Sequence, residues 1–258
     1  MSGCSGTTQP TLVLATTTSV ANSGLLDVLA AEYHRDRRVI VRAHLVGSGR
    51  ALVMLGDGSA DVVISHAPDA ETRALALHPR WVYSKMMFND FVIVGPGTDP
   101  ARVKDASTAE DAFRRIARSD TRFISRGDSS GTHERERLLW QLAGAAPSSD
   151  RLVIAGQGMG TTLRIADQTM AYTLTDRGTF AQNASSMALR VLFEGGSRLL
   201  NTYAVVYEPG SVDGGAFAEW LTSGRGRNVI AGYRVMGASV FTPWPEGQER
   251  AEPTSLPR

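Results

Sequence analysis

Thr11-Leu12-Val13-Leu14-Ala15-Thr16-Thr17-Thr18-Ser19 is an apolar strand that runs directly into a cluster of hydroxyls, and the succession of segments after it decides the fold. Residues 24–33 place Leu25, Leu29 and Tyr33 at the spacing of one helical face. Residues 39–46 form a second strand, 50–55 a short helix and 61–65 a third strand, completing a βαβαβ unit. The strand at 90–94, closed by Gly95-Pro96, leaves that unit. A second unit comes next, with helices at 109–118, 132–142 and 161–167 and strands at 122–125, 152–155 and 170–175. Residues 201–208 are another long apolar strand, and 217–221 begin a helical tail. This alternation predicts an α/β fold with mainly parallel sheets. The long strands at 90–94 and 201–208 sit at unit boundaries and read as crossings between lobes. The expected organisation is a flexible tether over 1–10, a discontinuous lobe 1 over 11–90 plus 201–245, lobe 2 over 91–200, and a disordered tail over 246–258. Pro243, Pro245, Pro253 and Pro257 suggest that tail.

Composition narrows the function. With 258 residues and 42% hydrophobic content the chain can bury a sizeable core. Lys and Arg number 27 against 26 Asp and Glu, and no basic run occurs, which argues against nucleic acid and anionic membrane as partners. No stretch approaches the roughly 20 apolar residues of a spanning helix. Aromatics, at 7%, are too sparse for stacking platforms that hold sugars or single strands.

In parallel α/β sheets, ligands lie beyond the carboxyl ends of the strands, where helix N-termini present unpaired N–H groups and partial positive charge. The loops at those positions are rich in Gly, Ser and Thr. They are Thr16 through Ser19, Gly47-Ser48-Gly49, Ser65, Ser125 through Thr132, Gly158-Met159-Gly160-Thr161-Thr162, and Asp176-Arg177-Gly178-Thr179. Hydroxyl donors and glycine-exposed N–H groups suit an oxyanion. Each loop alone is as readily a helix cap, so the recurrence carries the inference. Arg126 and Arg177 supply two guanidinium charges, which would balance a small tetrahedral dianion, with Asp128 orienting Arg126 from behind. The plain alternative pairs each arginine with Asp128 or Asp176 at the surface. No nucleotide-phosphate loop, His-Glu-x-x-His pair or Cys-x-x-Cys is present. Ser130 and His133 leave a Ser/His hydrolase open as a weaker reading, without a Gly-x-Ser-x-Gly elbow.

Arg126-x-Asp128-x-Ser130-Gly131-Thr132 resembles the oxyanion loop of phosphate-binding proteins with a type II periplasmic-binding fold. A longer set of segments resembles the Tup-type tungstate-binding proteins of ABC importers. It comprises Leu14 through Ser19, Ser23 through Asp27, Ser65-His66-Ala67-Pro68, Asn89 through Pro96, Ser125 through His133, Gly158-Met159-Gly160 and Ala171 through Thr179. The resemblance runs in order from about Thr11 to Glu208. It implies two Rossmann-like lobes joined by a two-strand hinge, and an anion held between them by Thr17, Thr18, Arg126, Ser130, Gly131, Thr132, Arg177 and the N–H groups around Gly160 and Thr161. Ser48 and Ser65 are further members of that set. Gly47-Ser48-Gly49-Arg50 departs from the family's Gly-Thr-Gly, and the segment from Ser211 onward matches only loosely.

The expected function is capture of tungstate or molybdate without catalysis, cofactor or metal site, tungsten entering only as its oxyanion. The expected partners are an ABC permease and its ATPase, with the receptor itself a monomer. A phosphate, sulfate or molybdate receptor of the same fold is the first alternative, and a cytoplasmic oxyanion sensor another. Cys4, the single cysteine, lies in a setting that resembles the lipobox of bacterial lipoproteins, so a lipid anchor is the one expected membrane contact and the expected location is the periplasm or cell surface. The apolar segment that normally precedes a lipobox is missing. Either the chain has been trimmed, which we favour, or Met1 is a genuine start and Cys4 is incidental.

Overall fold

The structure is a computed structural model and describes residues 9–128, 130–254 and 256–257, so Cys4 and the start of the tether lie outside the described residues. The chain opens with β1 (Thr11–Thr16), α1 (Thr18–Asn22), α2 (Leu25–Arg37), β2 (Ile40–Leu45), α3 (Ser48–Gly56), β3 (Val62–Ser65) and α4 (Pro68–Leu77). The long β4 (Val82–Gly95) leads to α5 (Ala109–Arg118), β5 (Phe123–Ser125), α6 (Gly131–Ala143) and β6 (Leu152–Ile154). Then come α7 (Met159–Gln168), β7 (Thr173–Asp176), α8 (Arg177–Asn183) and β8 (Arg190–Phe193). β9 (Leu200–Tyr207) returns the chain to the first lobe, followed by α9 (Val212–Thr222), α10 (Arg225–Gly232), β10 (Arg234–Val235), β11 (Ala238–Ser239) and β12 (Thr242–Pro243).

The first lobe's strands lie in the order β12-β4-β9-β3-β1-β2. β1 is parallel to β2 and β3, while β9 runs antiparallel to β3 and β4. The sheets are therefore mixed rather than mainly parallel. β4 and β9 are where the chain leaves and re-enters the first lobe, and they run in opposite directions. From Val82 to Asp90, β4 pairs with β9; from Phe91 to Val94 it pairs with β7 of the second lobe. β5 and β6 extend the second lobe as a parallel pair, joined to the β7 side by the Phe123–Tyr172 bridge.

Strand alternation sends successive side chains into different cores. Leu12 and Leu14 enter the core under α2, α9 and α10, whereas Ala15 faces that under α3 and α4. In β4, Phe91 and Ile93 join the α5–α6 core, and Val92 and Val94 the α7–α8 core. β4 must end in glycine, because a Cβ at Gly95 would lie 2.5 Å from the Tyr172 ring.

Residues 246–254 do not form a disordered tail. β12 pairs with β4, the Trp244 N–H donates to Met86 O (3.0 Å), and the Lys85 N–H donates to Glu249 O (2.7 Å). The reason is Lys85, a fully buried ammonium on the crossing strand. Its Nζ donates to Thr202 Oγ1 (2.7 Å) and to Pro253 O (2.6 Å) and sits 5.4 Å from the Trp244 ring centroid. Burial lowers the Lys85 pKa to about 8, opposed by the charge of Glu71.

A chain shortened to end at Gly247 loses the Pro253 acceptor, and we expect a stability deficit of roughly 1–3 kcal/mol at pH 7 in urea unfolding. The lowered folded pKa fixes the sign of the pH effect. The cost of burying the ammonium is full below about pH 8 and is relieved as pH rises toward the unfolded value of 10.5. The deficit of the shortened chain therefore narrows between pH 7 and pH 9.5.

Candidate functional site

Just beyond the carboxyl ends of β1, β2 and β5, and at the start of α7, the two lobes enclose a cavity of about 120 Å³. Thr17, Thr18, Ser19, Val46 and Gly47 line it from the first lobe, and Arg126, Asp128, Ser130 and Gly158 from the second. These residues sit at the N-termini of α1, α3, α6 and α7. Thr17 Oγ1 caps α1 by accepting the Val20 N–H (3.5 Å), and Ser130 Oγ caps α6 by accepting the His133 N–H (3.3 Å). Each hydroxyl proton stays available to a ligand. Gly47 and Gly158 begin α3 and α7 with no side-chain cap, so the first-turn N–H groups of those helices are uncovered.

Arg126 governs the electrostatics. Its side chain is 3% exposed, and Nη2 forms an ion pair with Asp128 Oδ2. Its backbone N–H donates to Glu136 Oε2 (3.2 Å), which fixes the loop to the body of α6. Nε and Nη1 are buried and have no hydrogen-bond partner among the described residues. Leaving such donors unmatched costs roughly 1–3 kcal/mol each, more when charged, so they call for an acceptor in the cavity. Asp128 offers no spare acceptor of comparable quality, since its Oδ1 already receives the Ser130 N–H (3.2 Å). It acts as the brace of Arg126. Two further carboxyls nearby are held toward their neutral forms. Burial raises the pKa of Glu136 to about 7 and pushes that of the fully buried Asp176 upward. Arg126 thus meets less opposing charge than a count of acidic residues suggests.

Of the residues singled out in the sequence, Thr17, Thr18, Arg126, Ser130 and Asp128 come together at this cavity. The others are placed elsewhere. Ser48 is buried with its Oγ accepting the His66 N–H (3.3 Å), and Ser65 is buried beside the Glu71 carboxyl. Thr132 is buried in the first turn of α6. Gly131 lies so close to His66 that a Cβ would collide with His66 O. Gly160 faces Asn22, and Thr161 Oγ1 accepts from Arg164 Nη2 (2.9 Å). Arg177 does not reach the cavity. It opens α8, and its Nη2 donates to Glu194 (2.6 Å) and Asp90 (3.4 Å), which already match its charge. The positive end of the cavity is therefore one guanidinium plus helix N-termini, not two guanidiniums. Ser19, Gly47 and Gly158, which belong to the candidate loops but were not among the named ligand-binding residues, also line the cavity, as does Val46, which the sequence does not single out. The signal for the glycines was their position directly before a helix.

A larger cavity of about 640 Å³ lies behind the hinge, lined by Arg73, Arg135, Arg137 and Arg198 but also by Asp69 and Glu134. Two carboxylates share the lining with its four arginines, and Arg135 is spent on Arg198 O (2.6 Å) and Leu200 O (3.2 Å). It lacks the convergence of uncapped helix starts on one buried guanidinium.

The PBP superfamily domain matches residues 5–225. Tungstate-binding protein TupA of Peptoclostridium acidaminophilum is 38% identical over 243 residues, covering 90% of this chain and 85% of that protein. This chain belongs to the Tup-type family of solute-binding proteins. Two solved structures agree with that membership. The tungstate ABC transporter protein from Geobacter sulfurreducens is 38% identical with a TM-score of 0.77, covering 86% of this chain and 98% of its own. TupA from Desulfovibrio alaskensis is 37% identical with a TM-score of 0.76, covering 92% of this chain and 100% of its own. A Tup-type protein is a binding protein and not an enzyme, and here Ser130 Oγ serves as a helix cap.

Glu136 gives a test of the loop's electrostatics. Its raised folded pKa means that the unfolded chain releases the proton first, so its contribution to stability falls as pH rises from 4.5 to about 7 and is flat above. In Glu136→Gln that decline disappears. Denaturant unfolding at pH 5 and pH 8 should show the wild type losing more stability between the two than the variant.

Proposed function

We propose that the chain is the extracytoplasmic capture component of an ABC importer, that it binds tungstate in the cavity between its lobes, and that it passes the anion to a permease driven by its ATPase. The observation that carries the reading is the buried Arg126 with Nε and Nη1 unpartnered at a cavity ringed by helix N-termini. A tetrahedral dianion supplies acceptors to those donors, to the Thr17, Thr18 and Ser130 hydroxyls and to the uncapped N–H groups of α3 and α7. Closure of the lobes replaces its hydration shell with fixed donors from both sides.

Selectivity follows from donor and acceptor counting. Tungstate and molybdate are fully deprotonated near neutral pH and only accept hydrogen bonds, whereas phosphate retains a proton that needs an acceptor. The carboxylate that lines the cavity, Asp128, has both oxygens engaged by Arg126 and Ser130. Binding phosphate strands a donor and is disfavoured. Sulfate makes the same kind of contacts but is smaller and leaves the donors under-reached. Molybdate, alike in size and charge, is the expected competitor. We further propose that the receptor is a monomer in the periplasm or at the cell surface, tethered through Cys4 where that residue is lipidated.

Calorimetric titration of the purified chain with tungstate, competed by molybdate, sulfate and phosphate, tests this. One-to-one binding that molybdate displaces and the other anions do not is the expected outcome; no heat with any of the four would refute it. Arg126→Ala should weaken tungstate at least a hundredfold, from loss of a desolvated charge partner, and Arg177→Ala less than threefold. Equal losses in the two variants would overturn the site as drawn.

A further inference from the structure

We infer that Gln182 is a positioning residue that latches the two lobes shut over the cavity, and so sets how long the anion stays bound without touching it. The inference rests on the proposed function for the identity of the anion, but not for its geometry. Gln182 lies on α8 of the second lobe, and its Nε2 donates to Ser23 O (2.9 Å) and to Tyr233 Oη (3.0 Å), both in the first lobe. Tyr233 Oη in turn donates to Ser23 O (2.7 Å). The ring is stoichiometrically complete. Both amide hydrogens of Gln182 are used, the phenol donates once and accepts once, and one carbonyl oxygen receives two bonds.

The surroundings are shaped for this ring. A Cβ at Gly24 would lie 2.6 Å from both Gln182 Nε2 and Tyr233 Oη, and Gly24 itself has φ +77°, so that position is glycine on two counts. Across the seam, a Cβ at Gly178 would come within 2.9 Å of Ser23 Cβ. Ala181, one residue before Gln182, packs against the first lobe's apolar core. α8 is thus seated on the end of α1, whose opposite end carries Thr17, Thr18 and Ser19 into the cavity.

None of Ser23, Gln182 and Tyr233 lines that cavity. The ring joins groups in different lobes, so it exists only while the lobes are together. It raises the population of the closed form by its own free energy and leaves entry into the open form unchanged. Its signature is therefore kinetic. Removing it speeds release, leaves association unchanged or faster to the extent that the ligand-free protein was held shut, and alters tungstate and molybdate affinities by the same factor. A residue acting through the cavity would shift that ratio.

The decisive variant is Gln182→Glu, which keeps the shape and removes both donors, measured beside Tyr233→Phe and the double variant by stopped-flow release of tungstate. We expect release about tenfold faster in Gln182→Glu, association no slower than in wild type, an unchanged tungstate-to-molybdate ratio, and a double variant no worse than the more severe single one. Unaltered release, or a changed ratio, would overturn the latch. Should the wild type bind no oxyanion, the proposed function fails but the latch is still judged by small-angle scattering of the ligand-free proteins. A larger radius of gyration in Gln182→Glu than in wild type is expected there, and indistinguishable radii would overturn it.

Discussion

A guanidinium taken out of water with two of its donors unmatched is costly to build, and among the described residues nothing matches Nε and Nη1 of Arg126. Asp128 takes one donor and turns the fork; Glu136 holds the backbone beneath it. Gly127, at φ +62°, gives the loop the turn it needs, with no room for a side chain against Ile154. The loop can be this tight because β5 delivers Ser125 to a fixed height beside β6 and α6 begins only a few residues later. The second lobe therefore presents a single rigid charge. The first lobe faces it with the hydroxyls of Thr17, Thr18 and Ser19 and the uncapped start of α3.

The lobes meet on two sides of that charge. At the hinge, the buried His66 donates through Nδ1 to Asn201 Oδ1 (3.1 Å), an oxygen that can only accept, and Asn201 Nδ2 donates to Asn89 Oδ1 (2.8 Å) and Tyr203 Oη (2.7 Å). Burial drops the His66 pKa to about 4, so the ring is neutral near pH 7 and adds no charge beside Arg126. Gly131, the first residue of α6, presses against His66 O with no Cβ between them. On the far side α8 rests on α1. The cavity lies between a pivot and a rim, and the hydrogen bonds described at both join neutral polar groups.

Much of this was legible in the sequence because local chemistry and the fold agree. The helix over Ala109–Arg118 forms where its pattern predicts, with Thr108 as a side-chain cap and Asp111 in the first turn. The strand at 90–94 does cross between lobes, though as the second half of a fourteen-residue β4 whose earlier, more polar half reads poorly as strand. α4 was missed because its buried positions are Ala70 and Glu71, which make no apolar stripe, and only Pro68 at its start marked it. Among the residues that line the cavity, Arg126 and Ser130 stand out in the sequence because a strand end, a capped helix and a charge fall within a few positions. The role of Arg177 was not, because Asp90 and Glu194, which occupy it, become neighbours only when β4 and β8 pair. The proline-rich end misled for a related reason. Its ordering depends on Lys85, 168 residues away from Pro253 in sequence, and no local pattern records that partnership.

The strand order of the first lobe carries a consequence for the nascent chain. β9 lies between β3 and β4, so that sheet cannot close its middle until residues 200–207 exist. β5 through β8 and their helices, by contrast, come from one uninterrupted stretch and can consolidate around the end of β4 by themselves. During synthesis the earlier-made lobe must wait, with β3 offering a bare edge, for a strand delivered only after the later-made lobe is complete. Sheets assembled from such distant segments gather their contacts slowly and leave hydrogen-bonding edges open to other chains. In this topology β3 is the strand whose edge stays open until β9 pairs with it.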